Sequence, residues 1–409
     1  MLRLTCPRSR FSYCDQVTMN ELDVVRTIGV GTFGRVRLMV HAPTHKPYAL
    51  KTLQKRQLVA MSQVSNVRSE QTLLSTCSHP FLLKLAAAFQ DETRLYMVLE
   101  FIQGGELYKY MQDQDEGLLP LGSARFYSAS IVAAFAYLNS LNIIYRDLKP
   151  ENILLSSEGL VKVIDMGFAK ILANGRTFTF CGTPDYMAPE IICHRGYALC
   201  CDWWSLGVFL FEMLTGLPPF EAFEDPTGID TFGKVLEYAN GRFQIDFPPD
   251  LDPAATDLIK KLCEPDVVKR FDAEQTKAHP FFSSINFMNL EKGKVTPPYV
   301  PPVKDATDAS CFEEIDEDAG AHQEASDPNL IVPTGSSFFG SFVTIDEQPP
   351  APTRVYDPTR KPPVSAHGAS TAKASALNAS DVKMDVKVDS VPAPSKEVPS
   401  GGGGCCLLQ

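Results

Sequence analysis

Ile144-Tyr145-Arg146-Asp147-Leu148-Lys149-Pro150-Glu151-Asn152 places an acid, a base and an amide on one short loop. Directly after it, Ile153-Leu154-Leu155 and Val161-Val163-Ile164 read as short strands bracketing a turn at Ser156 to Gly159. That hairpin leads to a second acidic turn, Asp165-Met166-Gly167. A polar surface turn is the bland reading of the first string, and only its context can displace it.

Upstream, Ile28-Gly29-Val30-Gly31-Thr32-Phe33-Gly34-Arg35-Val36 reads as strand, glycine turn, strand. Val36, Leu38 and Val40 alternate with Arg35, Arg37 and Met39, which predicts a half-buried strand. Glycines let a backbone approach phosphates closely and leave its N–H groups open to bond them. A dinucleotide-binding turn, and with it an oxidoreductase, would open a helix and carry an acidic ribose ligand about 20 residues on. Here a strand follows, and Lys51 of Tyr48-Ala49-Leu50-Lys51 lies at that distance. Ser62 to Leu74 reads as a helix with Val64, Val67, Leu73 and Leu74 on its apolar side, and it carries Glu70. Leu95 to Phe101 reads as a buried strand with a connector, and Gly104-Gly105 release the chain into helices, the first long one spanning Ser123 to Leu141. Asp202 to Thr215 is apolar nearly all round, hence a buried helix, with Asp202 placed to cap it and tether the loop at Asp147, and Gly216 to stop it.

The chain has 409 residues and 44% hydrophobic content, enough for a two-lobed core. Of the formal charge of -11, residues 301–409 carry 16 acidic against 8 basic side chains, so the body is nearly balanced. Neither part has the basic excess of a nucleic-acid binder. Eleven cysteines without C-x-x-C pairs, and no secretory signal, predict reduced thiols in a cytosolic setting and no cysteine metal site. Met1-Leu2-Arg3 has no glycine for N-myristoylation. The uncharged run Phe126 to Tyr145 has the length of a membrane span, but Ser128, Ser130, Asn139, Ser140 and Asn142 interrupt it, and a buried core helix is expected.

Taken in order, these motifs resemble AGC-type serine/threonine protein kinases over roughly residues 21 to 345, in their cyclic-nucleotide-regulated branch. The most specific strings are Arg176-Thr177-Phe178-Thr179-Phe180-Cys181-Gly182-Thr183-Pro184-Asp185-Tyr186-Met187-Ala188-Pro189-Glu190 and the run from Asp202-Trp203-Trp204. The resemblance implies a bilobal α+β fold: an extension at 1–20, a small β-rich lobe at 21–100, a large helical lobe at 101–283 and an AGC-type tail at 284–345. It also implies ATP and Mg²⁺ as cofactors. Asp147 would accept the proton of a substrate hydroxyl, Lys149 would neutralise the γ-phosphate, and Thr183 would bond both. Asn152 and Asp165 would hold metal. Gly29, Gly31, Thr32, Phe33 and Gly34 would cover the phosphates, with Lys51 on the α- and β-phosphates, held by Glu70. Val36, Ala49, the gatekeeper Leu99, Glu100 and Phe312 of Phe312-Glu313-Glu314-Ile315 would complete the nucleotide pocket.

By the same resemblance, Glu106, Glu151 and Glu212 would take arginines N-terminal to the target residue, and Phe180, Pro184 and Met187 would line an apolar pocket for the residue after it. Thr179 is the implied phosphosite, filled by an upstream kinase or by autophosphorylation and read by Arg146 and Lys170. Arg270 and Glu190 would form a scaffold pair. A cyclic-nucleotide-binding regulatory subunit would be a separate chain, because no such domain fits the short extensions. Four residues depart from the family pattern: Tyr145 for the commoner His, Met166 for Phe, Asn66 for a charged helical His, and Phe178 for the Trp of the partner surface. Met166 is expected to stack with Tyr145, Leu74 and Leu85. The rival within the same fold is a pseudokinase scaffold that binds without turnover.

Phe339-Gly340-Ser341-Phe342 resembles the hydrophobic motif that docks on the small lobe, yet the chain continues to Gln409. Residues 346–404, rich in Pro, Ala, Ser, Asp and Lys, read as a disordered tether. At 405–409, Cys405-Cys406-Leu407-Leu408-Gln409 ends in a C-a-a-X box that favours farnesylation of Cys406. Lys373, Lys383, Lys387 and Lys396 are cancelled by Asp381, Asp385, Asp389 and Glu397, so S-acylation of Cys405 is the expected second anchor. The expected location is the cytoplasm, anchored to the cytoplasmic face of a membrane.

Overall fold

The glycine-rich turn joins two antiparallel strands, β1 (Leu22–Gly31) and β2 (Gly34–His41). The computed structural model describes residues 17–221, 229–315, 338–340, 342–344 and 355–357. Gly34 is required there, because a Cβ would lie 1.8 Å from the carbonyl oxygen of Thr52. The sheet continues with β3 (Lys46–Gln54), then α1 (Lys55–Ala60) and α2 (Val64–Thr76), then β4 (Leu85–Gln90) and β5 (Arg94–Glu100). Helix formation therefore starts earlier than the expected Ser62 and breaks at Met61–Gln63, where Ser62 takes a positive φ of 54°.

The expected alternation along β2 fails, since Leu38, Met39 and Val40 are all buried. Both faces of the sheet are covered. One joins the main core beneath α2, and the other carries Val17, Met19, Leu22, Met39, Tyr48 and Tyr96. Val17 and Met19, which the sequence placed in an extension, are part of this packing.

The large lobe runs through α3 (Leu107–Gln112), α4 (Leu121–Ser140), β6 (Ile143–Ile144), β7 (Ile153–Leu155), β8 (Val161–Val163), β9 (Lys170–Ile171), α5 (Pro189–Ile192), α6 (Cys200–Thr215), α7 (Ile229–Ala239), α8 (Pro253–Leu262), α9 (Ala273–Lys277) and α10 (Phe287–Glu291). Ile164 falls outside β8. Helix α4 takes in the span-length run only as far as Ser140, the rest passing through β6, and Phe126, Ile131, Val132, Phe135 and Leu138 bury the helix in the protein core. Helix α6 is buried almost all round and ends at Gly216, whose φ of 85° suits a residue without a Cβ. Asp202 does not cap this helix; it lies in the first turn, with Leu199 at the cap.

The tail returns to the small lobe. Phe339 and Phe342 are buried, Gln90 Nε2 donates to the Phe342 carbonyl at 2.7 Å, and β10 (Val343–Thr344) pairs in parallel with Phe89 and Gln90. The Lys55 ammonium sits 4.7 Å from the Phe339 ring centre. The six-stranded sheet thus runs β1-β2-β3-β5-β4-β10. Ser341, the tether over 346–354 and 358–404, and Cys405 and Cys406 lie outside the described residues.

Candidate active site

Asp202 accepts the backbone N–H groups of Tyr145 at 2.8 Å and Arg146 at 2.9 Å, which anchors the start of the polar loop to α6. Burial pushes its carboxyl up to about 6, against those two hydrogen bonds and the Arg146 charge. The anchoring matters because Arg146 takes a left-handed φ of 74° and Asp165 one of 54°, which L residues adopt only when held there. Asp165 Oδ1 accepts the Gly167 N–H at 2.9 Å. Tyr145, fully buried, donates its hydroxyl to the Ile164 carbonyl at 2.6 Å, a bond that ties the loop to the end of the hairpin. Met166, Leu74, Leu85 and Tyr145 all belong to the same core cluster.

Both oxygens of Asp147 are oriented: Thr183 Oγ1 donates to Oδ1 at 2.9 Å and Asn152 Nδ2 to Oδ2 at 2.7 Å. Asn152 Nδ2 also donates to the Asp147 carbonyl at 2.8 Å, which fixes the amide. Lys149 is half-buried on the same loop. Across the cleft, Lys51 Nζ meets Glu70 Oε1 at 2.7 Å, so strand β3 and helix α2 are joined. Burial opposes the Lys51 charge, but Glu70 and Asp165 outweigh it and hold the ammonium above the ordinary lysine value.

Strand register places Val36 opposite Lys51, and Ala49 opposite Leu99. Nothing stands within 4 Å of a Cβ built at Gly31, and one at Gly29 meets only ordinary contacts with Val36, so these two glycines are not required by packing. Thr32 is exposed at the turn, and Phe33 is partly buried, its carbonyl accepting the Gln54 N–H. Glu100 is committed elsewhere by its N–H, which goes to Lys84 O, and by its carboxylate, which pairs with Lys162 at 2.9 Å. The Phe312 ring lies 5.9 Å from Phe101 in the connector, and Arg26 on β1 donates to the carbonyls of Phe312 and Glu313.

A model of the protein kinase domain family matches residues 22–282. The chain belongs to the protein kinase family. It is 41% identical over 302 residues to the human cAMP-dependent protein kinase catalytic subunit PRKX, covering 72% of this chain and 81% of that one. Against the cAMP-dependent protein kinase catalytic subunit of Arthrobotrys oligospora it is 41% identical over 307 residues, 74% of this chain and 57% of that one. With its counterpart in Dictyostelium discoideum it shares 40% over 325 residues, 78% of this chain and 48% of the other. The chain therefore spans only about half the length of these last two relatives.

On the large lobe of the kinase, Glu106, Glu151 and Glu212 fall within one electrostatic neighbourhood. Burial raises Glu106, and Glu151 and the tail residue Glu313 raise it further. Burial pushes Glu212 up to about 8; Glu151, Asp185 and Glu221 add to this, while the Tyr186 hydroxyl, which donates to its Oε2, opposes it. Asp185, Glu221 and Glu313 were not singled out in the sequence. Asp185 and Glu313 sit inside motifs already read, though neither was read as part of this cluster, whereas Glu221 enters it only through folding. Phe180 stacks on His194 at 5.1 Å and meets Phe232 edge-on at 5.8 Å, close to Pro184 and Met187 in sequence.

Arg146 donates to Phe168 O at 2.6 Å and to Tyr197 Oη at 3.1 Å, and Lys170 Nζ donates to Thr177 Oγ1 at 3.0 Å. The Thr179 hydroxyl lies 3.3 Å from that of Thr177, and Tyr197 donates its hydroxyl to the Thr179 carbonyl. Asn66 donates to Gln63 Oε1 at 2.6 Å, within its own helix start. Arg270 and Glu190 form a buried two-point pair at 2.6 and 3.0 Å.

Proposed function

We propose that this kinase transfers the γ-phosphoryl group of Mg-ATP to serine or threonine in sequences with arginines before the target. The observation that carries the substrate class is the acidic cluster of Glu106, Glu151 and Glu212, reinforced by Asp185, Glu221 and Glu313. Carboxyl groups gathered in one place, and raised by burial first and by one another second, gain from a guanidinium partner, which brings charge and paired donors together.

The site residues suit the cofactor. Asp165 and the side-chain oxygen of Asn152 are hard oxygen donors of the kind Mg²⁺ takes when phosphate oxygens and water supply the rest, Asp165 for one ion and Asn152 for a second. Metal held by these residues would supply positive charge against the charge that develops on the transferring group. Asp147, both of whose oxygens are already oriented, accepts the hydroxyl proton and aims the oxygen. Lys149 stabilises the transferring group, and Lys51, held by Glu70, positions the other phosphates. The pseudokinase reading is disfavoured, because the Lys51–Glu70 pair at 2.7 Å and the oriented Asp147 stand in one chain.

Phosphorylation of Thr179, by another kinase or by this one, would draw Arg146 and Lys170 from their present partners and order the segment from Asp165 to Glu190. The relatives named as cAMP-dependent support control by a cyclic-nucleotide-binding subunit on a separate chain, with Phe178, 68% exposed, on the contact surface. The terminal Cys406 would be farnesylated and Cys405 acylated, placing the kinase on the cytoplasmic face of a membrane. A degenerate-peptide assay with Mg-ATP, with and without a cyclic-nucleotide-binding regulatory subunit, tests the central reading. Enrichment of arginine before the target supports it, and turnover without that enrichment refutes the substrate class.

A further inference from the structure

Strand β1 is the outer strand of the small-lobe sheet, and its far edge presents backbone groups that an extended segment can take up. Val355 forms a parallel bridge with Val24, and the Tyr356 N–H donates to the Val24 carbonyl at 2.8 Å. Val355 is 74% exposed while Tyr356 is half-buried, the alternation of a strand laid along an edge. These residues follow the hydrophobic motif, which occupies the opposite edge through β10 on β4. The ten residues from 345 to 354 can reach at most about 38 Å across their eleven steps. Crossing the sheet takes about 29 Å at strand spacing. The length suffices with little slack.

We infer that the outer edge of β1 is a strand-docking site, that its occupant is the chain's own Val355–Asp357, and that this pairing fixes the strand that opens the glycine-rich loop. Two features make β1 responsive to its edge. Its register with β2 shifts between Val24 and Arg26 and again between Thr27 and Gly29, so the strand is irregular just where the clip binds and just before the glycines. Arg26, two residues from the bridge, also holds the Phe312 and Glu313 carbonyls, so the tail grips β1 at a second point. Chemically, the site takes an extended peptide through main-chain hydrogen bonds, with a half-buried aromatic side chain as a selective contact.

The test uses the full-length protein in three forms: wild type, Tyr356→Pro, which lacks the donor N–H, and Tyr356→Phe, which keeps it. Hydrogen exchange in the wild type should show a protected Tyr356 amide, independent of protein concentration. In Tyr356→Pro, exchange across Leu22–Thr27 should quicken and the KM for ATP should rise about fivefold, the factor one net backbone hydrogen bond carries, with kcat within about twofold. Tyr356→Phe should match the wild type. The docking site is overturned if β1 exchange is the same in all three forms; protection that fades on dilution overturns the assigned occupant and gives the edge to a second copy. Faster exchange with an unchanged KM overturns the link to the glycine-rich loop. A Tyr356→Phe that behaves like Tyr356→Pro overturns the main-chain basis. Exchange needs no turnover, so its result is independent of the proposed phosphotransfer.

Discussion

If Glu212 takes a substrate arginine as proposed, recognition should depend on pH. Its carboxyl is pushed up to about 8, mainly by burial and then by Glu151, Asp185 and Glu221, with the Tyr186 hydroxyl pulling the other way. Only the ionised form pairs productively with a guanidinium, so an arginine-containing peptide must displace a proton below that value. If the bound carboxyl titrates well below the assay range, apparent affinity should improve about 25-fold from about pH 6.5 to about pH 8.5. In stability the sign is the reverse: the folded value exceeds the unfolded one, so the contribution of Glu212 is fully present below about pH 4.5 and lost as pH rises through about 8. The assay is the KM of an arginine-bearing peptide across that range. The same peptide with its arginines replaced, and the Glu212→Gln enzyme, serve as controls. A KM that stays flat for the arginine peptide, or that falls equally in Glu212→Gln, would refute the reasoning.

Asp147→Asn should lower kcat by roughly 10² to 10⁴ while ATP affinity, measured by calorimetry, stays within about threefold, because Asp147 acts on the acceptor. Thr179→Ala should be about tenfold slower than wild type whose phosphorylation has been confirmed by mass spectrometry; equal rates would remove Thr179 from regulation. Arg270→Ala leaves Glu190 buried without its two-point partner, at a cost of about 3–5 kcal/mol in denaturant unfolding, and a loss below about 1 kcal/mol would contradict the pair's burial. In cell fractionation, wild type should pellet with membranes, Cys405→Ser should bind weakly and Cys406→Ser should be soluble; a membrane-bound Cys406→Ser would remove the prenylation reading.

The sequence by itself determined what depends on local order. The spacing from Asp147 to Asn152 to Asp165, the glycine turn before a strand, and the apolar run of α6 each state a constraint within a few residues of itself, and their order along the chain points to a single fold. The family's spacing pairs Lys51 with Glu70, and folding brings them to 2.7 Å. Tertiary structure decided what depends on faces meeting. The alternation of β2 could not reveal that Val17 and Met19 cover the second face of the sheet, because burial on both sides erases a period of two. Glu221 and Glu313 join the carboxylate cluster from distant positions, and no local pattern marks a charge that acts across space. The side chain of Glu100 proved to serve Lys162, and Arg146 to serve Phe168 and Tyr197, because hydrogen-bonding groups take the partners that folding brings within reach. The same reason hides the pairing of Tyr356 with Val24: a backbone N–H is common to every residue but proline, so only the folded chain shows which carbonyl it finds.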